Sequence, residues 1–133
     1  IADFILSHPR LPEDKIPYWD FDAPNIPNEE RDASAGAILA SGLYELALYS
    51  DPKYADAADQ IVASLSTPAY TAPIGTNGNF ILMHSAGSRP AKSEVDVPLV
   101  YADYYYLEAL YRHKYFKKLK KHLWDARLDP LGK

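Results

Sequence analysis

Asp32-Ala33-Ser34-Ala35-Gly36-Ala37-Ile38-Leu39-Ala40-Ser41-Gly42-Leu43-Tyr44-Glu45-Leu46-Ala47-Leu48-Tyr49 has almost no polar face. Ala35, Ile38, Leu39, Gly42, Leu43 and Leu46 recur at spacings of three and four, the period of an α-helix. The opposite side carries Ala33, Ala37, Ala40, Ser41 and Ala47, all small. A helix that is apolar or small nearly all round is buried on most sides. This pattern suits the inner layer of a multi-helix assembly.

Asp51-Pro52 follows at once. Aspartate as N-cap and proline in the first turn start a second helix, expected to end near Leu65. Tyr54, Ala58, Ile61, Val62 and Leu65 form its apolar stripe, and Asp56, Asp59 and Gln60 its wet side. The short connection makes the two helices an antiparallel hairpin, inner helix then outer helix.

Upstream, Ile1 to His8 reads as the end of a helix, stopped by Pro9 and Pro12. Five prolines within residues 9–30 exclude a regular helix there. Tyr18, Trp19 and Phe21 within that segment imply a loop pinned to the body. Downstream, Pro68, Pro73, Gly75 and Asn77-Gly78 break structure, Phe80 to Met83 is expected as a short strand, and residues 84–95 as a polar loop. Asp96 is then expected to cap a helix from Leu99 to Tyr111 rich in tyrosine, with a basic, partly helical extension over 113–133 and a frayed end from Asp129 to Lys133. The whole is about four helical segments of an all-α fold. Two deeply lined helices need covering layers that 133 residues hardly provide, and the chain opens on the apolar segment Ile1–Leu6 without a methionine. Both features give the expectation of a piece of a longer protein.

Composition narrows the chemistry. Lysine and arginine total 14 against 18 aspartates and glutamates, a formal net charge of −4. No basic footprint for nucleic acid results. Cysteine is absent, which removes disulfides, thiolate metal sites and a cysteine nucleophile. No apolar run approaches the ~20 residues of a membrane helix. His8, His84, His113 and His122 lie far apart, so no metal site is expected.

Three segments carry candidate chemistry. Tyr18-Trp19-Asp20-Phe21-Asp22 is either an aromatic anchor for the loop or a platform for a sugar ring beside a carboxylate. His84-Ser85-Ala86-Gly87-Ser88-Arg89, with Lys92 behind it, is either a surface turn or a loop that binds anions or sugars through hydroxyls and a cationic fork. Asp103, inside the tyrosine-rich helix, is expected to bond a tyrosine hydroxyl or a basic residue, because an unpaired buried carboxylate is costly.

Four ordered blocks carry a resemblance. They are Pro17-Tyr18-Trp19-Asp20-Phe21-Asp22-Ala23-Pro24, Arg31-Asp32-Ala33-Ser34-Ala35, His84-Ser85-Ala86-Gly87-Ser88, and Glu94-Val95-Asp96-Val97-Pro98-Leu99 running on to Tyr101-Ala102-Asp103-Tyr104-Tyr105-Tyr106-Leu107-Glu108-Ala109-Leu110. Over roughly residues 1–112 the chain resembles the C-terminal third of the bacterial unsaturated glucuronyl hydrolases, glycoside hydrolase family 88. The resemblance implies part of an (α/α)6 barrel, an unsaturated oligosaccharide as substrate, and no metal or organic cofactor. The implied reaction removes an unsaturated uronic acid from the non-reducing end of fragments left by polysaccharide lyases. An aspartic acid protonates C4 of the C4=C5 enol ether, water attacks C5, and the resulting hemiketal rearranges to release the second sugar.

The family's two principal catalytic aspartates have no counterpart here, so no catalytic residue is expected in this chain and the chain alone is expected to be inactive. The resemblance implies substrate contacts from Ser85, Ser88, Arg89, His84 and Lys92, with the serines facing a sulfate group, and a supporting role for Trp19, Asp20 and Tyr18. An unsaturated rhamnogalacturonyl hydrolase of the same fold and a non-catalytic helical scaffold or sugar-binding protein remain as alternatives. Self-association of the uncovered helices is a further expectation. The compartment stays open between bacterial cytoplasm and periplasm.

Overall fold

In a computed structural model describing residues 1–128, the elements run α1 (Ala2–Leu6), α2 (Ala33–Tyr49), α3 (Lys53–Leu65), a short 3-10 turn (Asn77–Asn79), β1 (Ser85–Ser88), β2 (Ser93–Val97) and α4 (Val100–Leu128). The frayed end expected over 129–133 lies outside the described residues.

α2 begins where its cap dictates. Asp32 has extended backbone, and its Oδ1 accepts from the Ser34 amide at 3.0 Å, the Ser34 hydroxyl at 2.6 Å and the Ala35 amide at 3.3 Å. A cap of this kind stabilises a helix by about 1 kcal/mol. The α2–α3 connection is Ser50, Asp51 and Pro52, and the Asp51 carboxylate accepts from the Lys53 amide at 2.9 Å. α3 buries the expected stripe of Tyr54, Ala58, Ile61, Val62 and Leu65 and adds Ala55.

α2 is the centre of the molecule, packed on α4 and on α3, while α3 and α4 touch only lightly. Ala33, Ala37, Ala40 and Ala47 are buried on α2, and Ala102 and Ala109 on α4. Small side chains bring the helix axes close, so the larger Leu43, Tyr44, Leu65 and Tyr106 fill the space at the margins. Ile16, fully buried, comes up from the proline-rich loop against Gly36; a Cβ there would stand 2.9 Å from Ile16 Cδ1.

Of the larger apolar stripe of α2 only Leu43 is fully buried. Ile38 is 43% exposed, Gly42 is exposed, and Ala35, Leu39 and Leu46 are half-buried. Both neighbouring helices take the small-residue side, where they can come nearest. α4 likewise leaves large apolar side chains exposed: Val100, Tyr101, Tyr104, Leu107 and Tyr111.

The region between α3 and the start of α4 corrects four expectations. Phe80 to Met83 form no strand, only an isolated bridge between Thr71 and Leu82. Asp103 explains this: its carboxylate accepts from the Ile81 and Leu82 amides, both at 2.8 Å, instead of meeting a tyrosine or a cation. Residues 84–95 are not an irregular loop. They build most of an antiparallel hairpin, with Ser85 opposite Val97, Ala86 opposite Val95 and a bulge between Ser85 and Ala86. Asp96 is therefore no helix cap. It lies in β2 at φ 54°, and accepts from His84 Nδ1 at 2.6 Å. α4 begins at Val100 and runs without a break past Arg112, so the basic segment continues the same helix.

Polar links hold the far end of the helices. Ser41 donates to Glu108, Arg112 Nη1 reaches Glu45 at 2.7 Å, and the Tyr44 hydroxyl donates to Asp59 at 2.5 Å. His113 Nδ1 donates to the same Asp59 oxygen at 2.8 Å. Burial, aided by Asp59, pushes the Tyr44 hydroxyl far above the ordinary tyrosine range, so it stays a donor.

Candidate functional site

The proline-rich loop and the hairpin meet at the N-terminal end of α2. Tyr18 and Arg31 form a bridge, with the Trp19 amide donating to Glu30 O at 3.0 Å and the Asp32 amide to Pro17 O at 2.8 Å. The Arg31 guanidinium lies 5.1 Å from the Tyr18 ring centroid, pairs with Asp14, and donates through Nε to Ile16 O at 2.9 Å. The buried Tyr70 hydroxyl donates to Asp14 at 2.8 Å. Burial and Asp14 raise that hydroxyl well above the ordinary range. The loop is thus tied to α2 by backbone and by a half-buried polar chain, as its aromatics implied.

The hairpin is joined to the same end. The Ala33 amide donates to His84 O at 2.9 Å, and the Ala86 amide to the Asp32 cap at 3.3 Å. One aspartate therefore starts α2 and holds β1. His84, Lys92, Glu94 and Asp96 all have φ between 52° and 63°, a left-handed conformation that non-glycine residues adopt only under constraint.

Trp19 stands between two clefts of about 360 Å³ each. One is lined by Tyr18, Trp19, Asp20 and Asp32 together with Ala35 and Leu39 on the open side of α2. The other lies between Trp19 and the β1–β2 turn, with Asn25, Glu29, Arg89, Pro90 and Lys92. Here Trp19 Nε1 donates to Glu29 at 2.9 Å and Arg89 Nε to Glu30 at 3.0 Å. The indole hydrogen bond holds the Glu29 carboxyl below its ordinary range.

The expected site residues thus divide. Trp19, Arg89 and Lys92 come together in one cleft, and Tyr18, Trp19 and Asp20 in the other. Ser88 is half-buried at the end of β1. His84 is bound to Asp96 and faces the edge of Tyr70. Ser85 is fully buried, and its hydroxyl has no partner among the described residues, so in this structure it lies out of reach of a ligand. Asp20 accepts from the Asp22 amide at 2.8 Å and Asp22 meets Arg10 at 3.4 Å, the local bonding expected of an anchored loop.

Glu29, Glu30, Asn25 and Asp32 were not singled out from sequence. A signal existed in the acidic pair just before the Asp32 cap, ten residues beyond the tryptophan. Among the described residues no group of His, Asp or Glu is placed to hold a metal ion, and no helix is long and apolar enough to cross a membrane.

No family model matches the chain. Individual proteins do. The unsaturated glucuronyl hydrolase of Formosa agariphila is 49% identical over 112 residues, 84% of this chain and 28% of that protein. The crystal structure of an unsaturated glucuronyl hydrolase specific for heparin superimposes with a TM-score of 0.85 at 50% identity, covering 88% of this chain and 32% of that one. A mutant of the Streptococcus agalactiae enzyme complexed with dGlcA-GalNAc6S aligns with a TM-score of 0.70 at 36% identity, covering 77% and 29%. The chain spans less than a third of the length of the curated relatives it matches. Sequence and fold agree over the same elements: the chain belongs to the unsaturated glucuronyl hydrolase family and carries a part of its α/α barrel.

Proposed function

We propose that this chain works as part of an enzyme that removes an unsaturated uronic acid from the non-reducing end of glycosaminoglycan-type oligosaccharides. The carrying observation is the 49% identity over 112 residues to an unsaturated glucuronyl hydrolase. Hydration of the C4=C5 enol ether needs an acid placed at C4 and a water at C5. Residues 1–112 are the barrel portion in this reading, and 113–133 an extension. Trp19, Tyr18 and Asp20 shape the cleft, and Ser88, Arg89 and Lys92 contact substrate, with His84 and Ser85 setting the hairpin that carries them. The catalytic aspartates belong to the remainder of the enzyme.

The relatives' names favour this class over a pectin-directed hydrolase and over a non-catalytic scaffold. The test is loss of the double-bond absorbance when the enzyme carrying this chain meets unsaturated chondroitin, heparin and rhamnogalacturonan fragments. Turnover of the first two is expected. Turnover of the last alone transfers the chain to the pectin-directed class, and no turnover at all leaves a scaffold. The 133-residue chain by itself is expected to be inactive and to self-associate through the open faces of α2 and α4. Ser88→Ala in the enzyme is expected to raise KM for sulfated substrate more than for unsulfated.

A further inference from the structure

α4 changes character beyond Arg112. The sequence blocks that carry the family resemblance end at Leu110. Residues 113–133 hold seven of the chain's 14 basic residues and two of its 18 acidic ones, a formal charge of +5, against −9 for residues 1–112. Lys114, Lys117, Lys118 and Lys121 follow one another at i, i+3, i+4 and i+7, which sets them on one face of the helix over about 10 Å of its length. All four are exposed. The described ion pairs of α4 use Arg112 and His113; among the described residues Lys114, Lys117 and Lys118 meet no carboxylate. Like charges at these spacings repel and weaken a helix, so the stripe gains from an anion laid along it. It stands at the other end of α2 from the Trp19 loop, since Arg112 and His113 meet Glu45 and Tyr44 while the loop joins α2 at Asp32.

The remaining faces of the segment narrow the partner. Phe116 is half-buried against the core, 5.9 Å from the Tyr44 ring centroid, and Lys120, off the stripe, has its Nζ 6.0 Å from the Phe116 centroid. A helix that lies on a lipid surface turns an apolar face into it. Here Phe116 is turned onto α2 instead, which leaves the charged face for a soluble ligand. The stripe holds no arginine, the planar fork that grips phosphates and base edges bidentately. Lysines are point charges and respond to charge density along a polymer. We propose that the lysine stripe of α4 docks an extended, sulfated, uronate-containing polysaccharide. In this role it holds the enzyme on the polymer whose lyase fragments it hydrolyses. The choice of a polysaccharide rests on the proposed function, but the test reads binding and not turnover, so the two fail separately.

The full 133-residue chain is titrated into a fluorescently labelled heparin decasaccharide and anisotropy is read. Saturable binding is expected despite the net charge of −4. The slope of log Kd against log salt should be about 3 for four contacts at roughly 0.7 each. Lys117→Gln with Lys118→Gln, exposed changes that keep helix propensity, should weaken binding about tenfold and halve that slope. Arg10→Gln with Lys53→Gln removes the same charge elsewhere on the surface and should leave both unchanged. The unsaturated heparin disaccharide, with a fifth of the charge, should compete at least tenfold more weakly. No saturable binding overturns the proposal, and so does an equal loss in the two double variants. Tighter binding of a single-stranded oligodeoxythymidine of equal charge, or of phosphatidylserine vesicles, overturns the choice of partner and with it the proposal.

Discussion

α3 buries Tyr54, Ala58, Ile61 and Leu65 and turns Asp56, Asp59 and Gln60 to solvent, whereas α4 leaves Val100, Tyr104, Leu107 and Tyr111 uncovered. α3 is complete within this chain. α4 and the adjoining side of α2 are packed on one side only, in a chain spanning less than a third of its relatives. In the proposed reading, the exposed apolar surface of α4 is where further layers of an α/α barrel would pack, whereas α3 buries its stripe within this chain.

Substitutions break this contrast most sharply in the core. Leu65→Ala is expected to destabilise the chain by about 3 kcal/mol, while Leu107→Ala, at a residue 53% exposed, changes it by no more than about 0.5 kcal/mol. Urea unfolding monitored by circular dichroism measures both; equal losses would mean that the open face is already covered. Asp103→Ala ranks next, at about 2 kcal/mol, because it strands the Ile81 and Leu82 amides. Amide hydrogen exchange at those two positions would rise with it. Tyr104→Glu combined with Leu107→Glu is expected to turn self-associated chain into monomer in sedimentation velocity, while the same change at Asp56 and Gln60 of α3 leaves association as it was.

Two smaller effects probe the loop end. Ser85→Ala removes a buried hydroxyl without a partner among the described residues, and is expected to be neutral or stabilising by up to about 1 kcal/mol. A large loss of stability would show that a partner exists. Glu29 has a folded pKa below its ordinary value, held there by the Trp19 indole. Its stabilisation of the loop is present above the unfolded value and is lost as pH falls through the folded one. Trp19 fluorescence, read in the Trp124→Phe background, should change on the acid side of the ordinary glutamate range, and Glu29→Gln should flatten that change.

Helical structure was readable because each signal is local. The Asp51-Pro52 helix start and the stripe of α3 stand in the sequence within one or two turns of their effects, although the cap position of α3 falls on Pro52 and not on Asp51. The hairpin was not read. Ser93-Glu94-Val95-Asp96-Val97 does alternate as a strand should, but the left-handed residues that shape it are His84, Lys92, Glu94 and Asp96, none a glycine to announce the bend. The site was legible by half. Trp19, Arg89 and Lys92 were found as residue types, while Glu29 and Glu30, which give the cleft its charge balance, carry no motif of their own.

Periodicity and family membership were settled along the chain itself, because the first depends on residues a few positions apart and the second on ordered blocks of sequence. Partners of Asp103, the burial of Ser85 and the choice of the small-residue side of α2 were settled only in three dimensions. Those outcomes turn on how closely two helices can approach and on which backbone amides are left unpaired when they do. Neither quantity exists until segments distant in sequence are packed together.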